Sequence, residues 1–316
     1  MISRNPRISS LALVVALATL TLTPACASVA HQAAPHATKT TPHAAKTTPH
    51  ATKTSTAARP EPSASVPAYS HIVIVMEENH SYSQIIGTSS APYINSLASS
   101  NVLFTNSHAI SHPSEPNYMA FTSGSTYGLT SDQCPFTTRH ANLGSELIAA
   151  GKSYSDYSES MPPQGSEVCT SGEYARKHNP AANYTDLPAT AKKTWTAFPS
   201  SANYASLPTV SFVVPNLLDD MHDGTVAQGD TWLKNHMSAY ATWAASHNSL
   251  LIVTWDENDG SPGNQVATIF AGANLKPGKY SEKITHYTVL RTIEAAYGLT
   301  PLGQSAKVSP ITDVFS

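Results

Sequence analysis

The chain has 316 residues, of which 41% are hydrophobic and only 12% charged, with a formal net charge of −3. That apolar share is enough to build a core and excludes a chain that is disordered throughout. The charge is unevenly spread: residues 1–69 hold six Lys/Arg and one acid, Glu61, which leaves residues 70–316 at a net −8 and excludes a general nucleic-acid binder with its basic footprint.

The N-terminus reads as an export signal. Arg4 and Arg7 form a basic start, residues 11–22 are apolar but too short to span a bilayer, and Ala25-Cys26-Ala27 offers a cleavage site. Residues 1–27 are therefore expected to be a signal peptide, leaving a secreted chain with no stable transmembrane anchor. Lipidation of Cys26 behind an imperfect lipobox, with tethering to the cell surface or wall, and an uncleaved anchor stay open as other fates. Residues 28–69 contain a seven-residue Pro/Thr/Lys/His unit in three copies, starting at Pro35, Pro42 and Pro49. Such a segment cannot build a core and reads as a disordered linker. Its spaced histidines (His36, His43, His50) lack the fixed geometry of a metal site.

A single folded domain is expected over 70–316. Residues 71–76 form a short, almost continuous apolar run, as buried parallel strands do, and 210–214, 250–255 and 266–270 read the same way. Helices are expected over 142–150, 229–246 and 288–297. In the second of these, Leu233, Met237, Tyr240 and Ala244 recur on one face. Residues 151–208 read as loops and insertions. Strands alternating with helices indicate an α/β fold with a mostly parallel sheet. With Cys26 removed or lipidated, Cys134 and Cys169 remain, and in an oxidising compartment they are expected to pair.

Chemistry is expected beyond the carboxyl ends of the strands. One run leads straight into Glu77-Glu78-Asn79-His80 and another into Asp256-Glu257-Asn258-Asp259. Two acid-rich strand ends in one sheet can converge on a hard cation, whereas either alone would pass for a solvated loop. In Ser111-His112-Pro113-Ser114-Glu115-Pro116-Asn117-Tyr118, the prolines give an extended lead into a helix start, so Ser114 would face free backbone N–H groups and could serve as a nucleophile beside a metal. Asp219-Asp220-Met221-His222-Asp223-Gly224 follows another strand and offers His222 as a proton donor or phosphate ligand; His286 is a second histidine candidate. Surface ion pairs and helix caps are the bland readings of these last two.

Taken together and in this order, the motifs at 74–81, 112–118, 220–224, 254–257 and 286–292 resemble those of the bacterial phosphoesterase family that holds acid phosphatases and phospholipases C. The resemblance extends over essentially all of 70–316. It implies an alkaline-phosphatase-like three-layer α/β/α sandwich and a metal-assisted phosphoserine mechanism. By position it implies Ser114 as nucleophile, Glu78, Asn79, Ser114, Asp256 and Glu257 as metal ligands, His222 near the phosphate and Asn117 on a phosphoryl oxygen. His112, Asp223 and His286 fall in weaker, substrate-facing positions. One divalent ion is implied, with Mg²⁺, Ca²⁺ or Mn²⁺ ahead of Zn²⁺ and room for a second ion near His222 and His286. The expected activity is that of a monomeric acid phosphatase acting on phosphomonoesters, soluble or phosphoinositide headgroups. The alternatives are a phospholipase C-type phosphodiesterase, which a bis-ester assay separates, and a non-catalytic tethered wall domain, which would more often have lost a ligand or the serine.

Overall fold

A computed structural model describes residues 65–316. The signal peptide, the three repeats and Cys26 lie outside the described residues. The packed chain begins slightly before the expected boundary at Ser70: Tyr69 is buried, Val66 packs against the core, and the Tyr69 hydroxyl donates to the Ala273 carbonyl.

In chain order the elements are β1 (His71–Glu77), α1 (Tyr82–Ile85), α2 (Pro92–Ser100), β2 (Val102–His108), α3 (Ser114–Ser123), α4 (Leu143–Ala149), β3 (Tyr154–Ser158), β4 (Thr170–Ser171), β5 (Tyr174–Ala175), α5 (Pro180–Asn183), β6 (Lys192–Thr194), β7 (Val210–Val214), α6 (Val226–Ala244), β8 (Ser249–Trp255), β9 (Gln265–Gly272), β10 (Gly278–Tyr280), β11 (Ile284–Thr285) and α7 (His286–Tyr297). The main sheet runs β10-β2-β9-β8-β1-β7-β3-β6, with β11 also pairing β2. All its strands are parallel except β9, which is antiparallel to both β8 and β2.

Strand residues alternate between the two faces, so each buried strand feeds two cores. Ile72, Ile74 and Met76 of β1 join Phe212 and Ile252 under α3, α4 and α7, represented by Tyr118, Phe121, Leu147, Val289 and Ile293. Val73 and Val75 join Val213, Leu251 and Val253 under α2 and α6. The expected apolar face of α6, Leu233, Met237, Tyr240 and Ala244, is buried in this second core. The result is the three-layer α/β/α sandwich.

Three expectations need correction. The run 266–270 is a strand, but β9 is antiparallel: only nine residues join it to β8, too few for the crossover that a parallel neighbour needs. Residues 151–208 are not all loop, because β3 is an inner strand of the sheet. Its sequence Tyr-Ser-Asp-Tyr-Ser hides this, since three of its five residues are polar although all five are buried; Asp156 Oδ2 accepts from the Ala181 N–H (2.9 Å), and burial lifts the carboxyl to about 8. Finally, β2 was not marked by any long apolar run, since only Val102, Leu103 and Phe104 of its seven residues are apolar.

Cys134 and Cys169 are bonded, with Cα atoms 5.8 Å apart. The bond closes a loop of 35 residues, and loop-closure entropy assigns such a cross-link about 4 kcal/mol. Replacing both cysteines by serine is expected to lower the unfolding free energy by about that amount in urea titrations. An unchanged midpoint would mean that the loop is held by its other contacts.

Candidate active site

β8, β1 and β7 are neighbours, and their carboxyl ends share one edge of the sheet. β1 leads into Glu78 and Asn79, β8 into Asp256 and Glu257, and β7 into the turn that carries Asp220 and His222. Backbone bonds lock these turns together: Glu78 N–H donates to Asp220 O (2.8 Å) and Asp256 N–H to Glu77 O (2.9 Å). Met221 takes a left-handed φ of 79°, which is uncommon for a bulky residue. Its buried side chain lies so close to α6 that a Cβ on Gly229 would meet it at 2.5 Å. Gly224 closes the same turn, where a Cβ would lie 1.8 Å from the Leu218 carbonyl oxygen.

Ser114 is the first residue of α3 and is buried. Its hydroxyl lies 3.0 Å from Glu78 Oε2 and 3.2 Å from Glu257 Oε1. The Asn79 N–H donates to Asp256 Oδ1 (3.2 Å), while the Asn79 amide oxygen faces Glu78 and Glu257; turned over, its NH2 would donate to Glu257 Oε1 (3.0 Å) and Glu78 Oε2 (3.3 Å). Four oxygen-bearing side chains thus converge, with a buried and unpartnered Asp256 Oδ2 beside them. Burial drives the Glu78 carboxyl well above its ordinary pKa, reinforced by Asp256 and Asp220. Burial does the same for Asp220 and lifts Asp256 and Glu257 to about 7. So many carboxylates with so little counter-charge fit a bound cation, and Glu78, Asn79, Ser114, Asp256 and Glu257 are the donors that would hold it.

The helix start is less rich in free donors than the motif suggests. Pro116 has no N–H, and the Glu115 N–H is taken by Asp132 Oδ1 (2.9 Å). Asn117 also departs from the expected role. Its oxygen accepts from the N–H groups of Ile110 and Ser111, each at 3.0 Å, and its NH2 donates to Ser111 O (2.9 Å) and Pro113 O (3.1 Å). Those four bonds use the whole capacity of an amide, so Asn117 holds the segment that presents Ser114 and has no donor left for a phosphoryl oxygen.

The histidines divide. His112 is 42% exposed at the rim, with Nδ1 against Glu257 Oε2. His222 Nδ1 donates to Asp223 Oδ1 (2.7 Å), so Asp223 orients it, and His222 Nε2 accepts from the Lys177 ammonium (3.1 Å). An ammonium has only donors, so in this arrangement Nε2 carries a lone pair and no proton to give. His286 is fully buried against Phe121, donates from Nε2 to the Asp256 carbonyl (2.6 Å), and is pulled by burial to a pKa of about 4. It braces the Asp256 turn and does not line an open face.

Sequence reading missed His178, Lys177 and Asp132. His178 is buried, stacked on Tyr118 with ring centroids 5.3 Å apart, and lies between Asp220 Oδ2 (3.1 Å) and Glu78 Oε1 (3.2 Å). Tyr118, in turn, donates to Glu78 Oε1. Glu78, His178 and His222 each bring one ligand atom within 4.8 Å of the others, so a second cation position, if used, involves His178 and not the expected His286. Asp132 comes from the connection between α3 and α4, and Lys177 and His178 from the turn between β5 and α5; neither segment carries a periodicity or motif that would single them out.

Residues 88–300 match the phosphoesterase family. The chain is 51% identical to the phosphatidylinositol-3-phosphatase of Mycobacterium tuberculosis over 80% of its own length and 85% of that protein. It is 31% identical to the phosphate-repressible acid phosphatase of Penicillium chrysogenum, over 67% of this chain and 55% of that one. Among solved structures, a protein of the alkaline phosphatase superfamily from Vibrio parahaemolyticus shares the fold, with a TM-score of 0.52 and 13% identity over 81% of this chain and 76% of that one. The lipoteichoic acid synthase LtaP from Listeria monocytogenes does so with a TM-score of 0.54 and 10% identity over 78% and 76% of the two chains.

Two outcomes are expected from this geometry. Gly224→Ala must push the Asp220–His222 turn out of place, and displacement of a site by about 1 Å costs on the order of 100-fold in turnover. Steady-state kinetics with a circular-dichroism control check this. The second concerns pH. In the metal-free protein, Glu78, Asp220, Asp256 and Glu257 hold protons in the folded state that the unfolded chain releases near roughly pH 4. Stability should therefore fall as pH rises from that value through about 7, where Asp256 and Glu257 titrate. Melting curves in chelator should show a higher Tm at the acid end of this window, and saturating divalent cation should flatten the slope.

Proposed function

The chain belongs to the phosphoesterase family, and from that premise we propose that it is a secreted, metal-dependent phosphomonoesterase working through a phosphoserine on Ser114. The observation that carries this reading is the seat of Ser114 Oγ, 3.0 Å from Glu78 and 3.2 Å from Glu257 at the start of α3. A cation held by Glu78, Asn79, Ser114, Asp256 and Glu257 would supply Lewis-acid polarisation of a phosphoryl oxygen and favour ionised Ser114. The donors are all oxygens, which suits Mg²⁺, Ca²⁺ or Mn²⁺ better than Zn²⁺.

The remaining work falls to the chain itself. Tyr118 donates to Glu78 Oε1, which leaves Oε2 directed at Ser114. Asn117 fixes the segment before the nucleophile. Ser114 attacks phosphorus in line, and its proton has carboxylate oxygens within hydrogen-bond reach. His112 is exposed at the rim and tied to Glu257, so it is suited to exchange a proton with the departing alcohol. Water then cleaves the phosphoserine, releasing phosphate and restoring the serine.

The substrate class rests on the relatives. Two of them are named phosphatases, and the name of the 51%-identical one makes phosphatidylinositol 3-phosphate the first lipid to test. Export is supported by the N-terminal signal pattern and by the disulfide. Among the described residues no helix is long and apolar enough to cross a membrane.

Ser114→Ala is expected to lower phosphate release from a chromogenic phosphomonoester by at least on the order of a thousandfold, with little change in Tm. Chelator should abolish wild-type activity, and divalent cation should restore it. Near-normal activity of the variant would remove Ser114 from the mechanism.

A further inference from the structure

A phosphate monoester brings two negative charges into a site already crowded with carboxylates. The helix start offers little to offset them, since Pro116 lacks an N–H and Asp132 occupies the Glu115 N–H. The neighbouring Arg176 is buried and turned inward: four of its five guanidinium N–H groups donate to Asn183 and to the carbonyls of Glu167, Phe136 and Ala182. Lys177 is different. Its ammonium has three N–H donors, of which one goes to Asp132 Oδ2 (2.9 Å) and one to His222 Nε2 (3.1 Å). The third is unassigned, and the side chain remains 21% exposed.

The position is built, not incidental. Asp132 holds Lys177 with one oxygen and the first turn of the Ser114 helix with the other. Asp223 fixes the His222 ring on its far side. His222 and Glu78 place ligand atoms within 4.8 Å of each other, and Glu78 reaches Ser114 Oγ over 3.0 Å. Ser114, Glu78, His222 and Lys177 therefore form a run of neighbouring groups, and Asp132 ties its two ends by bridging Lys177 to the start of the Ser114 helix. The positive charge of Lys177 is felt at Glu78, Asp220 and Glu257. Burial pulls its own pKa down, but Asp132, Glu78 and Asp256 more than compensate, so it stays above the ordinary lysine value.

We propose that Lys177 is the residue that reads the second negative charge of a phosphate monoester, and so sets the preference for monoesters over diesters. The proposal rests on the reading of Ser114 as the nucleophile of a phosphoesterase. A diester has an alkoxy group where a monoester has an anionic oxygen, so it gives the third Lys177 N–H no charged partner. An ammonium on a flexible stem suits this task as a point charge that follows one oxygen.

The test compares wild type, Lys177→Met, Lys177→Arg and Asp132→Asn in the full chain at saturating divalent cation. Readouts are kcat and KM for p-nitrophenyl phosphate and bis(p-nitrophenyl) phosphate, and the inhibition constant of inorganic phosphate. Lys177→Met should lose about 10- to 100-fold in kcat/KM on the monoester, as expected for one charge-assisted hydrogen bond, and weaken phosphate inhibition in step. The diester should lose much less, and Lys177→Arg should recover part of the monoester rate. Asp132→Asn keeps an oxygen for the Glu115 N–H but releases Lys177, so it should shift the monoester-to-diester ratio in the same direction. It provides the reading if Lys177→Met fails to fold. Where diester turnover is too slow, its inhibition constant gives the same comparison. Equal losses on both esters would reduce Lys177 to a structural role, and no loss on either would remove it from the site; both overturn the proposal. A metal-loaded wild type inactive on every phosphoester would defeat the underlying reading of the site and this inference with it.

Discussion

Buried negative charge is the constraint around which this domain is arranged. Glu78, Asp220, Asp256 and Glu257 lie at the ends of three adjacent strands, with at most 5% of any of them exposed. Carboxylates so close and so dry cannot all ionise without compensation. Their raised pKa values express that conflict in the absence of a counter-ion. A divalent cation would resolve it, and such a cation would also serve phosphoryl transfer at this site. Binding energy, stability and chemistry are therefore coupled at one point, since whatever loosens the carboxylate cluster also changes the ion's seat.

Much of the surrounding structure keeps that cluster from relaxing. The three strand ends are joined by backbone bonds and not only by side chains, so they move as a unit. Met221 is held in a left-handed conformation by its packing on Gly229, which points Asp220 and His222 into the site from a turn with almost no slack. On the other side the disulfide joins the segment after Asp132 to the segment before Lys177, and the Arg176 N–H donates to the Cys169 carbonyl. The long excursion between α4 and β7 is thereby anchored where it contributes to the site.

What could be read from the sequence follows from where the chemistry is contiguous. Glu78, Asn79, Asp256 and Glu257 directly follow apolar runs, so both the strand and its functional end are legible. Ser114 is legible because two prolines frame a helix start. The strand β3 was not, because three of its five buried residues are polar, and Asp156 meets the Ala181 N–H only 25 residues further along the chain. The direction of β9 depended on the length of its connection and not on its composition. His178 and Lys177 reach the site through tertiary contacts alone, from a turn flanked by nothing periodic. Asn117 shows a subtler limit: the motif identifies the residue, but only the geometry reveals that its amide is spent on backbone groups of residues 110–113.

The same local logic answers an electrostatic objection. A domain with a net charge of −8 over residues 70–316 is, on net charge alone, a poor host for an anionic ester. Yet fields from exposed surface charges fade over about 8 Å at physiological ionic strength, whereas buried charges act at short range in a medium that screens them weakly. What an incoming phosphate meets at the mouth is therefore decided by a few groups: the cation seat, the Ser114 helix start and Lys177. In this chain the helix start is partly occupied by Asp132, which shifts the burden of charge neutralisation from backbone dipoles to fixed cations. Asp132 weakens the helix end as an anion site, yet by the same contact with Lys177 it holds the side chain that takes over that role. The acidity of the fold and its capacity to bind phosphate are thus consistent, because the acidic side chains serve to position positive charge.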